Sequence, residues 1–251
     1  MRKLLPAERR VALIIRAHAM SLGVVAAGVV LVTAPLVATR GAAWIEFVGA
    51  GLVFASAGFA LILTGSIVTR DFARGTAQLW FQKPVDPARY YLARFAESAV
   101  AWAGLTVLLA LAARLGAAWL GWSAPYDLLV ALPRVLLTSL VVAAIAFGLS
   151  PWLQRGVVVV TLVLVLGGLL VESELSVRAA PLGPVGTPLV RALLFPDSAF
   201  RAVAAFASGA SDAVWLPLAR ILAYAGCWIA LGAGGVRRAL NRHGLAAAQG
   251  D

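Results

Sequence analysis

A polytopic all-α membrane protein is the fold class this sequence predicts, and three observations predict it. Of the 251 residues, 62% are hydrophobic and only 13% charged, whereas a soluble domain carries about 45–50% apolar and about 25% charged residues. The mean hydropathy of +0.92 implies more apolar surface than one globular core can hide while still turning a polar face to water. The charges are also spaced so that apolar runs long enough for a bilayer stand between them. Lipid is the solvent for much of this chain.

The first two uncharged runs lie between Arg16 and Arg40 and between Glu46 and Arg70, 23 residues each. At a rise of 1.5 Å per residue, about 20 residues cross the hydrocarbon core, so these runs predict spans over about 17–39 and 46–68. Met1-Arg2-Lys3 has the look of a signal-peptide start, but the apolar run begins only after Arg16. It also exceeds the ~7–15 apolar residues of a signal sequence, so the expectation is a retained span. Ser98–Ala113 is uncharged and continues apolar past Arg114, predicting a third span over about 96–120. Val135–Gln154 predicts a fourth, over about 131–153. Gly156–Val171, dense in Val and Leu, predicts a short fifth over about 156–172, and Ala213–Val236 a sixth over about 213–236, interrupted only by Arg220. The whole chain, 1–251, then forms one transmembrane domain of six helices.

Basic residues set the orientation, because Lys and Arg concentrate in cytoplasmic loops. With the N-terminus inside, fourteen of the 21 basic residues fall in cytoplasmic segments: Arg2, Lys3, Arg9, Arg10 and Arg16; Arg70, Arg74, Lys83, Arg89 and Arg94; Arg155; and Arg237, Arg238 and Arg242. Both termini are therefore expected on the cytoplasmic side. The net charge of +10 is accounted for by this asymmetry, and no nucleic-acid partner is expected.

The outer stretch between spans five and six, 173–212, holds Pro181, Pro184, Pro188 and Pro196 and cannot be one helix. Thr187-Pro188 and Asp197-Ser198 each read as a helix start. They predict two short outer helices, about Pro188–Phe195 and Ser198–Ser208, seated in the membrane interface by Leu189, Leu193, Phe200, Val203 and Phe206. Small residues through Gly49–Ala60 and Gly226–Gly235 would let helices approach closely.

The most informative segment is the cytoplasmic connection 69–94, TRDFARGTAQLWFQKPVDPARYYLAR. Phe72, Thr76, Leu79 and Trp80 recur at roughly helical spacing, opposite Arg70, Arg74 and Gln78. This pattern predicts a short amphipathic helix with a weak point at Gly75, ended by Lys83-Pro84. Asp86-Pro87 then reads as an N-cap followed by Pro at the first helical position, launching span three. Tyr90, Tyr91 and Arg94 are interfacial residue types.

In these residues the chain resembles the permease subunits of ABC-type exporters, specifically the type-2 permease family. The family pattern is an acidic residue shortly before Gly-Thr, then Leu, Pro-Val, and a Tyr with a basic residue entering the third span. Here those are Asp71, Gly75-Thr76, Leu79, Pro84-Val85, Tyr90 or Tyr91, and Arg94. Where the family usually has Ser-Arg after Pro-Val, this chain has Asp86-Pro87, and Trp80-Phe81 is bulkier than the usual small aliphatics.

The resemblance implies a coupling helix that docks into an ATP-hydrolysing subunit through Arg70, Asp71, Phe72, Arg74, Gly75, Thr76, Gln78, Leu79, Lys83 and Pro84. It further implies a second permease subunit, identical or related, and location as a multi-pass protein of a bacterial inner membrane. ATP and its Mg²⁺ would reside on the partner. This chain has no G-x-x-x-x-G-K-[ST] loop, and its only lysines are Lys3 and Lys83, so no enzymatic activity or cofactor is expected of it.

Single polar residues add little chemistry. His18, His243 and Cys227 are isolated, and no metal site or disulfide is expected. Charge inside a span is costly and tends to face protein or water, which makes Arg220 and Glu97 the candidate pathway or interface residues, Glu97 with Arg94 as its simplest partner three residues back. Two other classes compete. A stand-alone secondary transporter would show repeats with helices broken at mid-membrane, whereas Pro35, Pro133, Pro151 and Pro217 lie near predicted span ends. A membrane-embedded enzyme needs polar or metal-binding groups converging within the spans, and the sequence offers none.

Overall fold

The computed structural model describes residues 44–65, 67–73, 86–119, 128–153, 156–177, 196–209 and 212–242, together with seven positions between Leu13 and Gly23. Its helices are α1 (Trp44–Thr64), α2 (Ile67–Ala73), α3 (Pro87–Trp119), α4 (Leu128–Leu149), α5 (Val157–Val177), α6 (Asp197–Ala207) and α7 (Trp215–Arg242). Among the described residues there is no strand.

Four stretches are long and apolar enough to cross a membrane: Gly51–Asp71, Pro87–Leu115, Val130–Leu149 and Trp215–Ala239. They correspond to the predicted second, third, fourth and sixth spans and are consistent with a multi-pass membrane protein. In α5, Val157–Gly168 is a shorter apolar helical stretch, and the helix runs on through Leu169, Leu170 and Val171 to Val177. The first predicted span lies almost wholly outside the described residues, although the Leu22 amide donates to the His18 carbonyl at 2.9 Å, one helical turn.

Boundaries shift where backbone chemistry overrides the hydropathy edge. The expected division between span two and the cytoplasmic segment, at 68/69, falls inside α2. Between α1 and α2 the Gly65 amide donates to the Leu61 carbonyl at 2.9 Å, one helical turn back, and a Cβ on Gly65 would stand 2.7 Å from that oxygen. α3 begins at Pro87, nine residues before the predicted start of span three at 96. Asp86 starts it as expected, its Oδ1 accepting from the Ala88 amide at 3.0 Å. α4 begins at Leu128 and so takes in Pro133, which still lies within the helix's first two turns, where few amide partners are lost. Pro151 follows just beyond its end, and Gly156, with φ +89°, makes the left-handed turn into α5.

The core forms around α4. Every residue from Val141 to Gly148 is buried, and both α1 and α7 pack along this helix. The cause is side-chain size. Ala143, Ala144, Ala146 and Gly148 let neighbouring helices close in, which is how bundles gain packing energy when lipid is as apolar as the protein. A Cβ on Gly148 would sit 2.7 Å from the Trp228 carbonyl oxygen, and one on Gly232 of α7 would sit 2.7 Å from the Phe147 ring. Ala55 and Ala60 of α1 are fully buried as well. The two small-residue stretches thus serve contacts within the chain at these positions, while Gly226 and Gly234 face open space.

Three hydroxyls cross-link the centre. Ser139 of α4 donates to Ser56 Oγ of α1 at 2.6 Å, and Ser56 lies 2.7 Å from Thr106 Oγ1 of α3. Thr106 in turn donates to the Trp102 carbonyl of its own helix at 2.8 Å. Ser139 Oγ also lies 2.9 Å from the Val135 carbonyl of its own helix, so with one proton per hydroxyl the chain can run in either direction, ending on the Trp102 or the Val135 carbonyl. All three side chains are inaccessible to solvent, and the hydrogen bonds fix the register of three helices on one another.

α6 occupies the predicted place but not the predicted seat. Its first helical residue is Asp197 and Pro196 stands at the N-cap, so no side chain caps this end. Phe200 and Val203 do not face the membrane interface. They are buried in the core with Ile221 and Ala225 of α7 and Val141 and Ile145 of α4. Of the expected anchors within α6, Phe206 is the one that turns outward. The groove between α4 and α7 is a better site for the aromatic ring than the interface, because it meets packed side chains on all sides. Gly209, with φ +74°, closes the helix. The other predicted outer helix, Pro188–Phe195, lies outside the described residues.

Candidate functional site at the arginine-bearing end

Chain reversals bring five helix ends together. α2 packs against the start of α3, and Asp86 at that start reaches Arg237 near the end of α7, with Oδ2 to Nη2 at 3.4 Å. The neighbouring Arg238 places its guanidinium 6.0 Å from the centre of the Trp152 ring, just past the end of α4. Gly235 allows that contact, since a Cβ there would fall 2.7 Å from Trp152 Nε1. Gly65, between α1 and α2, faces Val158 near the start of α5. The ends of the predicted cytoplasmic segment, the α4–α5 turn and the end of α7 therefore occupy one end of the bundle, and Arg70, Arg89, Arg94, Arg237 and Arg238 belong to it.

Asp86 organises this end by geometry rather than by energy. One carboxylate oxygen caps α3, and the other lies 3.4 Å from Arg237 and 4.0 Å from Arg89 Nε. Arg89 and Arg237 have side chains 89% and 65% exposed, and ion pairs so open to water contribute at most about 1 kcal/mol. What the arrangement does is hold a mostly exposed array of arginine donors over the ends of α3 and α7, a surface suited to acidic groups on a partner.

The packing beneath is dense. Ile67 and Val68 of α2 are buried beside Tyr91 and Phe95 of α3. Tyr91 is fully buried and meets the Tyr90 ring edge-on at 5.1 Å. Arg94 donates to the Tyr90 hydroxyl at 3.3 Å and leans over its ring at 5.9 Å. Asp71 is half-buried on α2, and its carboxylate acts electrostatically on both phenols.

Of the docking residues expected from the sequence, Arg70, Asp71 and Phe72 are in α2. Arg74, Gly75, Thr76, Gln78, Leu79, Lys83 and Pro84 lie outside the described residues. Arg220 and Glu97 do not meet at one site. Arg220 of α7 donates to Ser198 Oγ of α6 at 3.1 Å and ties the short helix to the last long one, at the end of the bundle remote from Asp86. Glu97 is half-buried on α3, a turn beyond Arg94. Among the described residues no group of three or more His, Cys, Asp or Glu could hold a metal ion.

Sequence reasoning missed the Asp86–Arg237 contact and the Ser56–Thr106–Ser139 chain. Both join residues far apart in sequence, 151 and up to 83 positions, and no local pattern announces them. Compared with models of known protein families and with curated proteins, the chain matches none of either.

Proposed function

We propose that this chain is the transmembrane permease subunit of an ABC-type exporter in a bacterial inner membrane. It would have six spans with both termini cytoplasmic, and a separate subunit would hydrolyse ATP. The observation that carries the reading is the 69–94 segment, with Asp71, Gly75-Thr76, Leu79, Pro84-Val85, Tyr90 and Arg94 in the family's order. The grouping of that segment's two flanks with the ends of α4 and α7 supports it. A partner bound to the segment would press on α2 and α3 directly and on α7 through Asp86 and Arg237.

In this reading Arg70, Asp71, Phe72, Arg74, Gly75, Thr76, Gln78, Leu79, Lys83 and Pro84 form the docking surface. Closure of two ATPase subunits around ATP moves that surface and biases the helices between two access states, the role of a ligand that binds one state better than the other. A second permease subunit, identical or related, completes the pathway.

The test is purification of the tagged chain in mild detergent, with co-purifying subunits identified by mass spectrometry. A variant carrying Arg74→Glu and Gly75→Pro is run alongside. A stoichiometric ATPase with a phosphate-binding loop, lost from the variant, is the expected result. A well-folded preparation with no such partner sinks the proposal and moves a stand-alone transporter to first place.

A further inference from the structure

Arg238 stands one residue from the end of Trp215–Ala239, the stretch of α7 long and apolar enough to cross a membrane. Its guanidinium leans over the Trp152 ring at 6.0 Å. Trp152 comes from the turn after α4 and is laid across α7 at a glycine: a Cβ on Gly235 would fall 2.7 Å from Trp152 Nε1 and 3.0 Å from Pro151 Cβ. The indole is still 42% exposed, and Arg238 is exposed beside it. The pair is fixed from one side and open on the other.

Its charge is uncompensated. The carboxylate that serves this end, Asp86, is engaged by the start of α3, by Arg89 and by Arg237. Among the described residues no carboxylate pairs with Arg238. A guanidinium steadied by an aromatic face keeps its fork of N–H donors for an incoming anion. With Arg89 and Arg237 also largely exposed nearby, a headgroup that brings its own ammonium is disfavoured and one with net negative charge is favoured.

The surface that continues from the pair is apolar. Steps of four, three and four residues place Cys227, Leu231 and Gly234 on the side of α7 that carries Arg238. Cys227 and Leu231 are exposed, and a Cβ on Gly234 would meet nothing within 4 Å. Past the turn that holds Trp152, Val158 and Val159 of α5 are exposed as well. An acidic protein surface would answer the guanidinium but not this apolar continuation. A molecule with an anionic head and hydrocarbon chains answers both, at the depth where Trp and Arg meet headgroups.

We infer that Arg238 and Trp152 form a binding site for an anionic phospholipid. The guanidinium takes the headgroup phosphate, the indole packs beside it, and the acyl chains lie along the Leu231 side of α7. The site is a property of this chain alone and does not depend on the permease reading.

The test is titration of the detergent-purified chain with phosphatidylglycerol or phosphatidylcholine of identical acyl chains, with bound lipid counted by native mass spectrometry. Phosphatidylglycerol should bind in preference. Arg238→Gln should weaken it about fivefold, the scale of one basic side chain at an anionic surface. Arg89→Gln removes the same charge from the same end and should leave the preference intact. Trp152→Ala should weaken both lipids, since the indole packs against either. No preference in the parent chain, or equal losses from the two arginine variants, would overturn the site.

Thermal unfolding gives a second reading that holds wherever the lipid-free midpoints lie. Phosphatidylglycerol should raise the midpoint of the parent and of Arg89→Gln more than that of Arg238→Gln, because only a ligand bound to the folded state stabilises it. Equal rises in all three would contradict the site. Loss of a co-purified ATPase from Arg238→Gln, with lipid binding unchanged, would assign the arginine to a protein partner instead. Absence of any ATPase from the parent chain ends the permease reading and alters neither lipid measurement.

Discussion

α4 and α5 are two helices of nearly the same length, 22 and 21 residues, and both begin as long apolar runs. Their surroundings are opposite. Val141–Gly148 of α4 is buried without exception, whereas Val158, Val159, Leu162, Val163, Leu164 and Leu166 of α5 are all exposed. Hydrophobicity cannot separate them, because lipid accepts a leucine as readily as a protein interior does. Side-chain size and hydroxyls do. α4 carries Ser139, Ala143, Ala144, Ala146 and Gly148 on faces where α1 and α7 approach, while the described part of α5 is mostly Val and Leu. Small residues and buried hydroxyls decide which helix becomes the centre of the bundle, and bulky aliphatics mark the helix that meets lipid.

Substitutions on the two helices and their partners break or sharpen that contrast. The largest effect is expected at Phe200, which fills the groove between α4 and α7. Phe200→Ala should cost about 3–5 kcal/mol, measured by denaturant unfolding in detergent followed by circular dichroism. Gly148→Ala comes next. Its Cβ would meet the Trp228 carbonyl at 2.7 Å, a backbone atom that cannot rotate away, and a loss of about 1–3 kcal/mol is expected in the same assay.

Ser56→Ala removes the middle link of the hydroxyl chain, and about 1 kcal/mol should be lost. Thr106→Ala in a Ser56→Ala background should then cost less than it does alone, since its partner is already gone. At the small end, Val163→Ala on the exposed face of α5 should change stability by no more than about 0.5 kcal/mol. A loss near 2 kcal/mol there would mean that α5 is covered by protein, and the contrast with α4 would fail.

What was legible in the sequence follows the same physics. The positions of four spans were readable because charge is excluded from a run of bilayer length, and α3 could be started to the residue because Asp86-Pro87 is a local signal whose chemistry is complete within two positions. The start of α6 was nearly right for a related reason, but its seat was not. Burial of Phe200 depends on a groove made by helices more than fifty residues before it and twenty after.

The central claim is that the end of the bundle carrying 69–94 receives an ATP-hydrolysing subunit. Photocrosslinking tests it most directly: a photoreactive amino acid is placed at Gln78 or, as the control, at Leu216 on the remote end, which is 82% exposed. The account predicts that Gln78 captures a subunit with a phosphate-binding loop in membranes containing the intact complex, and that Leu216 does not. Capture of that subunit from Leu216 rather than Gln78, or from neither position in a well-folded chain, would contradict it.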